Sequence, residues 1–278
     1  MRSSRWPDVL VPVPPKALKR LETFDPADAV QPKDAATIAV VRDGEAGLEA
    51  FLMRRQASMA FAAGMYVFPG GGVQDDDGEP MTWVGPEPEE WAVRFSCDPE
   101  LARRLVVAAV RETFEETGVL LAGPDEHSIV GDTTDLAGAR DELEAKKMSF
   151  AQFLADEKLV LRADLLGAWA HWITPALEPR RYDTRFFVAA LPEGQRIGTV
   201  STEADKSLWA PLADVLALVD AGRAAMMPPT AVTCRELAPL AAGDVLTASA
   251  ERTIKPIEPR FVRVDGQWWL DIDREEEL

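Results

Sequence analysis

Three glutamates in one short run are the residues of this sequence best suited to chemistry. Glu112, Glu115 and Glu116 lie between Arg111 and Gly118. On an α-helix, positions i, i+3 and i+4 share one face, so the three carboxylates converge. Like charges at this spacing repel each other, by roughly 0.2–0.5 kcal/mol per exposed pair. A hard divalent cation prefers oxygen ligands and removes that repulsion. The run therefore predicts a Mg²⁺ or Mn²⁺ site, the alternative being a solvated helix face.

A glycine run is the second feature with chemical meaning. Gly70–Gly72 follows Phe68 and Pro69. Glycine lets the backbone approach a metal ion or a phosphate closely, where a Cβ atom would clash. The alternative is a flexible turn.

Together these residues resemble the Nudix box, the signature of the Nudix hydrolases. That box is a glycine, five residues, a glutamate, seven residues, and then Arg-Glu-apolar-x-Glu-Glu-x-Gly-apolar. Its second half is matched by the run from Arg111 to Val119, in which Thr113 occupies an apolar position. The resemblance implies a hydrolase that cleaves the diphosphate of a nucleoside diphosphate linked to another moiety.

The resemblance also implies a role for each matched residue. Glu115 and Glu116 would be metal ligands, and Glu112 would be a ligand or the base that activates water. Arg111 would orient the glutamates, a role compatible with an i,i+4 salt bridge to Glu115. The Gly71 carbonyl would be a further ligand.

Nudix enzymes often place another catalytic or metal-binding carboxylate in a later loop. Glu203, six residues before Trp209, is the residue predicted for that role, and Glu178 is its rival. The alternative for Glu203 is an ordinary loop acid.

The first half of the box is stretched. Gly71 precedes Arg111 by forty positions instead of fourteen, which indicates an insertion of 26 residues. Eight positions before Arg111, where the first glutamate of the box belongs, the chain has Arg103. Asp77 and Glu100 are the substitutes considered for that glutamate.

Residues before the box resemble one branch of the family, the coenzyme A diphosphatases. Arg55 and the spacing Gly-x-x-x-Phe-Pro-Gly-Gly from Gly64 to Gly71 fit this branch, whereas Gln56 and Ala60 depart from it. The interrupted box and the later run 172–187 resemble its peroxisomal members. Coenzyme A or an acyl derivative is therefore the leading substrate. ADP-ribose, NADH and dinucleoside polyphosphates are the alternatives.

Arginines are the residues predicted to bind the anionic substrate. Arg180, Arg181 and Arg185 form a basic group in an acidic chain, and Arg55 is a further candidate. The guanidinium fork suits diphosphate oxygens. The alternative is salt bridging to the acids of the protein itself.

Composition limits the classes of function. A formal net charge of −17 argues against nucleic-acid binding, which needs a basic surface. No segment reaches the ~20 apolar residues of a membrane span, and neither terminus resembles a targeting signal, so the expected location is the cytoplasm. A nucleotide-sensing domain without activity and an isoprenoid diphosphate isomerase using Cys97 are the competing functions.

Several elements are predicted around these residues. Asp98 and Pro99 can start a helix that runs to Thr117 and ends at Gly118. Further helices are predicted over 135–157, from Leu212 to Val219 and over 229–240. Strands are predicted over 35–41, 48–55, 165–173 and 185–191, and a hairpin over 260–272 turns at Asp265 and Gly266.

Strands interleaved with helices indicate an α/β protein, and the resemblance implies an α/β/α sandwich around a mixed sheet. Residues 1–33 are predicted to be an arm that packs on the core or on a second subunit, as in a homodimer. Residues 34–240 are predicted to form the Nudix domain, with an insertion at about 75–97 that loops out. Residues 241–278 are predicted to form an extension packed on the same domain.

Overall fold

The computed structural model of the protein describes residues 10–13, 15–56, 62–198 and 204–272. In chain order its strands are β1 Leu10–Pro12, β2 Lys33–Gly44, β3 Gly47–Arg55, β4 Tyr66–Val67, β5 Gly70–Gly72, β6 Trp83–Val84, β7 Ala122–Gly123, β8 Val160–Arg162, β9 Gly167–Ile173, β10 Tyr182–Ala190, β11 Ala204–Pro211, β12 Pro256–Ile257, β13 Arg260–Val264 and β14 Gln267–Asp271. Its α-helices are α1 Pro15–Leu21, α2 Pro88–Phe95, α3 Pro99–Thr117, α4 Ala137–Glu144, α5 Phe150–Asp156, α6 Leu212–Asp220, α7 Pro228–Leu237 and α8 Val245–Ala250.

A mixed sheet forms the centre of the fold. Within the described ranges its strand order is β11-β3-β2-β10-β9-β12, with β4 added to β3 and β5 added to β2. The long strand β2 pairs in parallel with β10, and it pairs antiparallel with β5 through its first half and with β3 through its second half. Because β5 is the glycine run, this pairing holds the glycines beside the central strand β2.

Helices cover both faces of this sheet. Ile38 and Val40 of β2 belong to a core cluster with α2, α3 and α5, whereas Ala39 and Val41 belong to a second cluster with α6, α7 and α8. Burial on both faces explains why β2 is an almost continuous apolar run. The predicted α/β/α sandwich is confirmed. None of the helices in the described ranges is both long and apolar enough to cross a lipid bilayer.

The predicted helix before Gly118 is confirmed at both ends. Asp98 accepts a hydrogen bond from the Leu101 N–H, and Pro99 occupies the first helical position. Gly118 ends the helix with φ of 77°, a left-handed conformation that glycine adopts without a steric penalty. All three glutamates therefore lie in the last turns of α3.

The predicted helix over 135–157 is divided into α4 and α5. Lys146 has φ of 55°, which helical backbone does not adopt, and Ser149 caps the start of α5 by accepting the Gln152 N–H. This break lets the chain turn between the two short helices.

The insertion is more closely built into the fold than the expected surface loop. Its helix α2 buries Trp91 and Phe95, which contact each other and Phe187 of the central sheet. The two aromatic side chains remove apolar area from water on the same side of the sheet as α3. The expectation that the whole segment loops out is therefore wrong for its second half.

The two ends of the described chain pack together. The predicted hairpin is confirmed as β13 and β14, and β1 pairs antiparallel with β14. Val13 and Ala17 of the N-terminal arm form a small cluster with Leu177, against which Phe261 and Leu270 pack. The arm and the C-terminal extension thus form one small layer beside the main domain.

Candidate active site

A single cleft of about 560 Å³ contains the acidic run and the glycine run. It is lined by the C-terminal half of α3, by β5, by the facing ends of β2, β9 and β10, and by the start of α7. Glu112, Glu115 and Glu116 all line it, together with Gly71 and Arg55. The structure therefore brings these five sequence-predicted residues to one site.

The glycine run is held directly against the glutamates. The Gly70 N–H donates a hydrogen bond to Glu116 Oε2 at 2.8 Å. A Cβ atom on Gly71 would lie 2.6 Å from both carboxylate oxygens of Glu112, and a Cβ atom on Gly70 would lie 2.4 Å from the Ala36 carbonyl oxygen. Close packing against Glu112 and Ala36 explains why both positions are glycine.

Arg111 connects two of the glutamates to the glycine run through hydrogen bonds. Its Nη1 donates to Glu112 Oε1 at 2.8 Å and to Glu115 Oε1 at 3.2 Å, and its Nη2 donates to the Gly72 carbonyl at 3.2 Å. The side chain is only 3% exposed. The contact with Glu115 is the predicted i,i+4 pair, and its contacts with Glu112 and Gly72 suit the role of orienting the glutamates.

Asp77 supplies the main partner of Arg111. The Arg111 Nε lies 2.7 Å from Asp77 Oδ1 and Nη2 lies 3.1 Å from Oδ2, which makes a bidentate ion pair. Asp77 is fully buried, and burial raises the pKa of its carboxyl in spite of Arg111. Burial alone would lower the pKa of Arg111, but the hydrogen bonds and charge of Asp77 raise it above its ordinary value.

This pair corrects the placement of the interruption in the box. Asp77 lies six positions after Gly71, the spacing of the first glutamate when it is counted forward from the glycine. Counting backward from Arg111 gave Arg103, whose guanidinium instead lies over the Trp83 ring at 5.5 Å. Glu100 is exposed in the first turn of α3. The inserted residues therefore follow Asp77.

Burial strongly perturbs the pKa of Glu115. Loss of water, reinforced by the charge of Glu112 and opposed by Arg111, raises the pKa of Glu115 to about 7. A cation beside this carboxylate would favour its charged form and lower that pKa.

The donor set fits an oxygen-preferring cation, although the side chains are not arranged as a finished coordination shell. Among the described residues, no three acidic, histidine or cysteine side chains are grouped closely enough to hold a metal ion. Arg111 donates to oxygens of both Glu112 and Glu115, and Glu116 accepts from the Gly70 N–H. A cation would compete with these donors for carboxylate oxygens that already line the cleft.

The predicted substrate-binding arginines do not all lie at the cleft. Arg55 lines the cleft at the end of β3. Arg180 is exposed and is not among the residues that line the cleft. Arg181 is buried and donates to Glu258 and to the Thr174 and Val30 carbonyls. Arg185 is buried and pairs with Asp34 and Asp183.

Strand β10 places other side chains in the cleft. Tyr182, Thr184 and Phe186 line it, whereas Arg185 lies on the opposite face of the strand. Successive side chains of a strand point to opposite faces, so alternation along β10 is the signal that would have identified the three residues. The guanidinium groups of Arg181 and Arg185 are thus bound to groups of the protein itself, and neither residue lines the cleft.

Of the two later carboxylates, Glu178 lies within the described residues. Glu203 lies outside the described residues. Glu178 is bound by Arg20, whose Nη2 lies 2.8 Å from Oε1 and 2.9 Å from Oε2. Glu178 is therefore part of the contact between the N-terminal arm and the main domain.

Comparison with known proteins relates this site to a family. The family described as the NUDT19 Nudix domain matches residues 87–237, which include α3 and all three glutamates. An acyl-coenzyme A diphosphatase NUDT19 of Xenopus laevis is 24% identical over 197 residues, covering 58% of this chain and 52% of its own length. The protein of the same name from Homo sapiens is 27% identical over 184 residues, covering 53% and 49%. The chain thus spans about half the length of these relatives.

A solved structure agrees at the level of the fold. The crystal structure of a NUDIX hydrolase from Alicyclobacillus acidocaldarius has a TM-score of 0.64 and 24% sequence identity to this chain. The match covers 82% of this chain and 99% of that one. Because the family match extends over more than half of the chain and includes the acidic helix of the cleft, this protein belongs to the NUDT19 Nudix family.

Proposed function

We propose that the protein is a Mg²⁺- or Mn²⁺-dependent hydrolase of a diphosphate bond. The observation that carries this proposal is the acidic face of α3, which the buried pair of Arg111 and Asp77 holds beside the glycine run in the cleft. Glu115 and Glu116 would hold the cation with the Gly71 carbonyl, and Glu112 would be a ligand or the general base. When bound, the cation polarises the diphosphate and lowers the pKa of a coordinated water.

The proposed substrate is coenzyme A or an acyl derivative of it. The relatives named as acyl-coenzyme A diphosphatases support this class. The cleft also suits a long molecule. Helix α3 packs on β2, and β9 lies two strands from β2, or about 10 Å away at the usual strand spacing. The cleft wall at β9 contains Trp172 and Ile173, and Leu270 of the C-terminal hairpin also lines the cleft.

Trp172 is the largest side chain in this part of the wall. Its side chain is only 3% exposed, and its Nε1–H has no hydrogen-bond acceptor in the part of the chain that the structure describes. An unmade bond of a buried donor costs about 1–3 kcal/mol. The indole of Trp172 therefore gives the cleft apolar surface, while its N–H stays buried in the core.

Two other functions have less support. An isomerase that uses a cysteine needs a thiol in the site, but Cys97 does not line the cleft and burial raises the pKa of its thiol. A sensor without activity has no need for all three glutamates of the second half of the box, which this chain keeps. Hydrolysis of ADP-ribose, NADH or a dinucleoside polyphosphate instead of coenzyme A would keep the proposed chemistry and change only the substrate.

The test is hydrolysis of a panel of these diphosphates with Mg²⁺ or Mn²⁺, with mass detection of the products. Glu115→Gln and Glu116→Gln should each lower kcat by at least about 100-fold, or about 3 kcal/mol of transition-state stabilisation. Glu89→Gln, a change of an exposed glutamate on α2, is the matched control and should leave kcat unchanged. Near wild-type turnover in both site variants at saturating metal would contradict the proposal. Nucleotide binding by the wild-type protein without any turnover would favour the sensor.

A further inference from the structure

The carbonyl end of α3 is an unfavourable place for carboxylates. A helix carries partial negative charge at its C-terminus, and acids there are destabilising. The last turn of α3 has no lysine or arginine to offset Glu115 and Glu116. Some other group must therefore stabilise this end if the glutamates are to remain beside the glycine run.

Arg140 of α4 supplies that group. Its Nε donates a hydrogen bond to the Glu115 carbonyl oxygen at 2.9 Å. Its Nη1 lies close to two glycines, because a Cβ atom on Gly118 or Gly198 would lie 3.3 or 3.1 Å from it. The side chain is only 9% exposed. A buried guanidinium thus lies at the carbonyl end of the catalytic helix.

Neighbouring contacts complete the same cap. The Gly198 N–H donates to the Thr117 carbonyl at 2.8 Å, and Thr133 Oγ1 donates to the Gly118 carbonyl at 2.8 Å. Terminal carbonyls of a helix lack partners within the helix. Here they are bound by groups 15 to 81 residues further along the chain, of which Arg140 alone brings a full positive charge.

The helix that carries Arg140 also reaches the cleft. Glu144 at the end of α4 and Lys146 just after it line the cleft with the three glutamates. Arg140 therefore links one wall of the cleft to the end of α3.

We propose that Arg140 is a positioning residue, which fixes the carbonyl end of α3 so that Glu115 and Glu116 face the cleft. The inference rests on the proposed function, since it concerns the residues assigned to the cation. Arg140 does not touch the reacting atoms. It acts through the backbone of Glu115 and through its charge at the end of the helix.

The experiment compares Arg140→Gln and Arg140→Lys with Arg162→Gln in the full-length protein. Arg162 is the matched control, because it is also 9% exposed and binds Asp164 and the Ser128 carbonyl outside the cleft. The readouts are hydrogen exchange of residues 113–119 in metal-free protein, Mn²⁺ affinity, and kcat and KM for the substrate found by the panel. Urea unfolding corrects each variant for global stability.

We expect Arg140→Gln to speed exchange in this segment about tenfold and to weaken Mn²⁺ binding about tenfold, the lower range for a residue that orients metal ligands. The value of kcat should fall while KM changes little, and Arg140→Lys should recover part of each effect by restoring the charge. Arg162→Gln should leave exchange in 113–119 and Mn²⁺ affinity unchanged.

Unchanged exchange and Mn²⁺ affinity in Arg140→Gln would overturn the inference, as would equal losses in Arg162→Gln. Should Arg140→Gln fail to fold, Arg140→Lys decides: weaker Mn²⁺ binding supports the inference and wild-type values overturn it. A wild-type protein that neither binds Mn²⁺ nor hydrolyses any diphosphate overturns the proposed function itself. An active wild type with unaffected Arg140 variants overturns only the role of Arg140.

Discussion

Arg111 is a buried side chain that orients the acidic face of α3. A buried guanidinium would be costly alone, but it is paired with Asp77 and donates to Glu112, Glu115 and the glycine run. Asp77 accepts hydrogen bonds from Nε and Nη2 of Arg111, which turns Nη1 toward Glu112 and Glu115. The orientation of the acidic face therefore depends on a residue 34 positions earlier in the chain.

Removal of the Asp77 charge should damage both stability and metal binding. Asp77→Asn leaves Arg111 buried with too little negative charge, so we expect a loss of roughly 3 kcal/mol in the free energy of unfolding, the low end for breaking a buried pair. Arg111 should then bind the glutamates more strongly and weaken Mn²⁺ affinity about tenfold. Urea unfolding and Mn²⁺ titration measure the two effects.

Asp75 provides the matched control for this change. It pairs with Arg104 at 2.9 Å, but its side chain is fully exposed. Asp75→Asn should cost less than about 1 kcal/mol, as expected for a surface ion pair. Equal losses in the two variants would contradict the role given to the buried pair.

At the scale of elements, α2 is the part of the insertion that packs on the acidic helix α3. It packs on α3, and its Phe95 contacts Phe187 at 5.1 Å between ring centroids. The turn around Asp77 comes before α2 and belongs to the site. The segment between the glycine run and α3 therefore contributes Asp77 to the site and α2 to the core.

Truncation of the core side of α2 should destabilise the whole domain. Phe95→Ala removes a side chain that is 1% exposed, and we expect it to lower the free energy of unfolding by about 3–5 kcal/mol. Val93→Ala changes a residue of the same helix that is 81% exposed and should cost less than about 0.5 kcal/mol. Urea unfolding of both variants tests this. A loss below 1 kcal/mol for Phe95→Ala would show that α2 is not part of the core.

At the scale of the whole molecule, the two ends of the described chain meet beside the cleft. The hairpin of β13 and β14 pairs with β1, and its Leu270 and the preceding Pro259 line the cleft. The hairpin thus forms part of the cleft wall, although it lies far from the acidic helix in the sequence. This arrangement makes the C-terminal extension a determinant of the proposed specificity.

A charge placed in that wall should affect the apolar part of the substrate. Leu270→Asp is expected to raise KM for a long-chain acyl-coenzyme A by about tenfold, within the range for a changed contact in an apolar pocket. Free coenzyme A should be affected less, and Mn²⁺ affinity should not change, because Leu270 belongs to the hairpin and not to α3. Steady-state kinetics with both substrates measure the difference.

Val264→Asp is the control on the same hairpin, since Val264 is 40% exposed and does not line the cleft. It should leave both KM values unchanged. An equal rise for acylated and free coenzyme A in Leu270→Asp would contradict an apolar subsite at the hairpin.

The sequence alone determined the features that depend on neighbours along the chain. Helix caps act within a few residues, so Asp98 and Gly118 fixed the bounds of α3. The spacing of Glu112, Glu115 and Glu116 placed them on one helical face for the same reason. The turn at Asp265 and Gly266 was equally local. These features, with the resemblance to the Nudix box, were sufficient to predict the family.

Only the tertiary structure decided the features that depend on distant partners. It gave Arg111 its partner Asp77, left Arg55 in the cleft and buried Arg181 and Arg185 against acids of the chain itself. It also placed α2 in the core. Whether a charged side chain faces a substrate or an internal partner depends on which strands become neighbours, and that is set by packing across the sheet and not by local propensity.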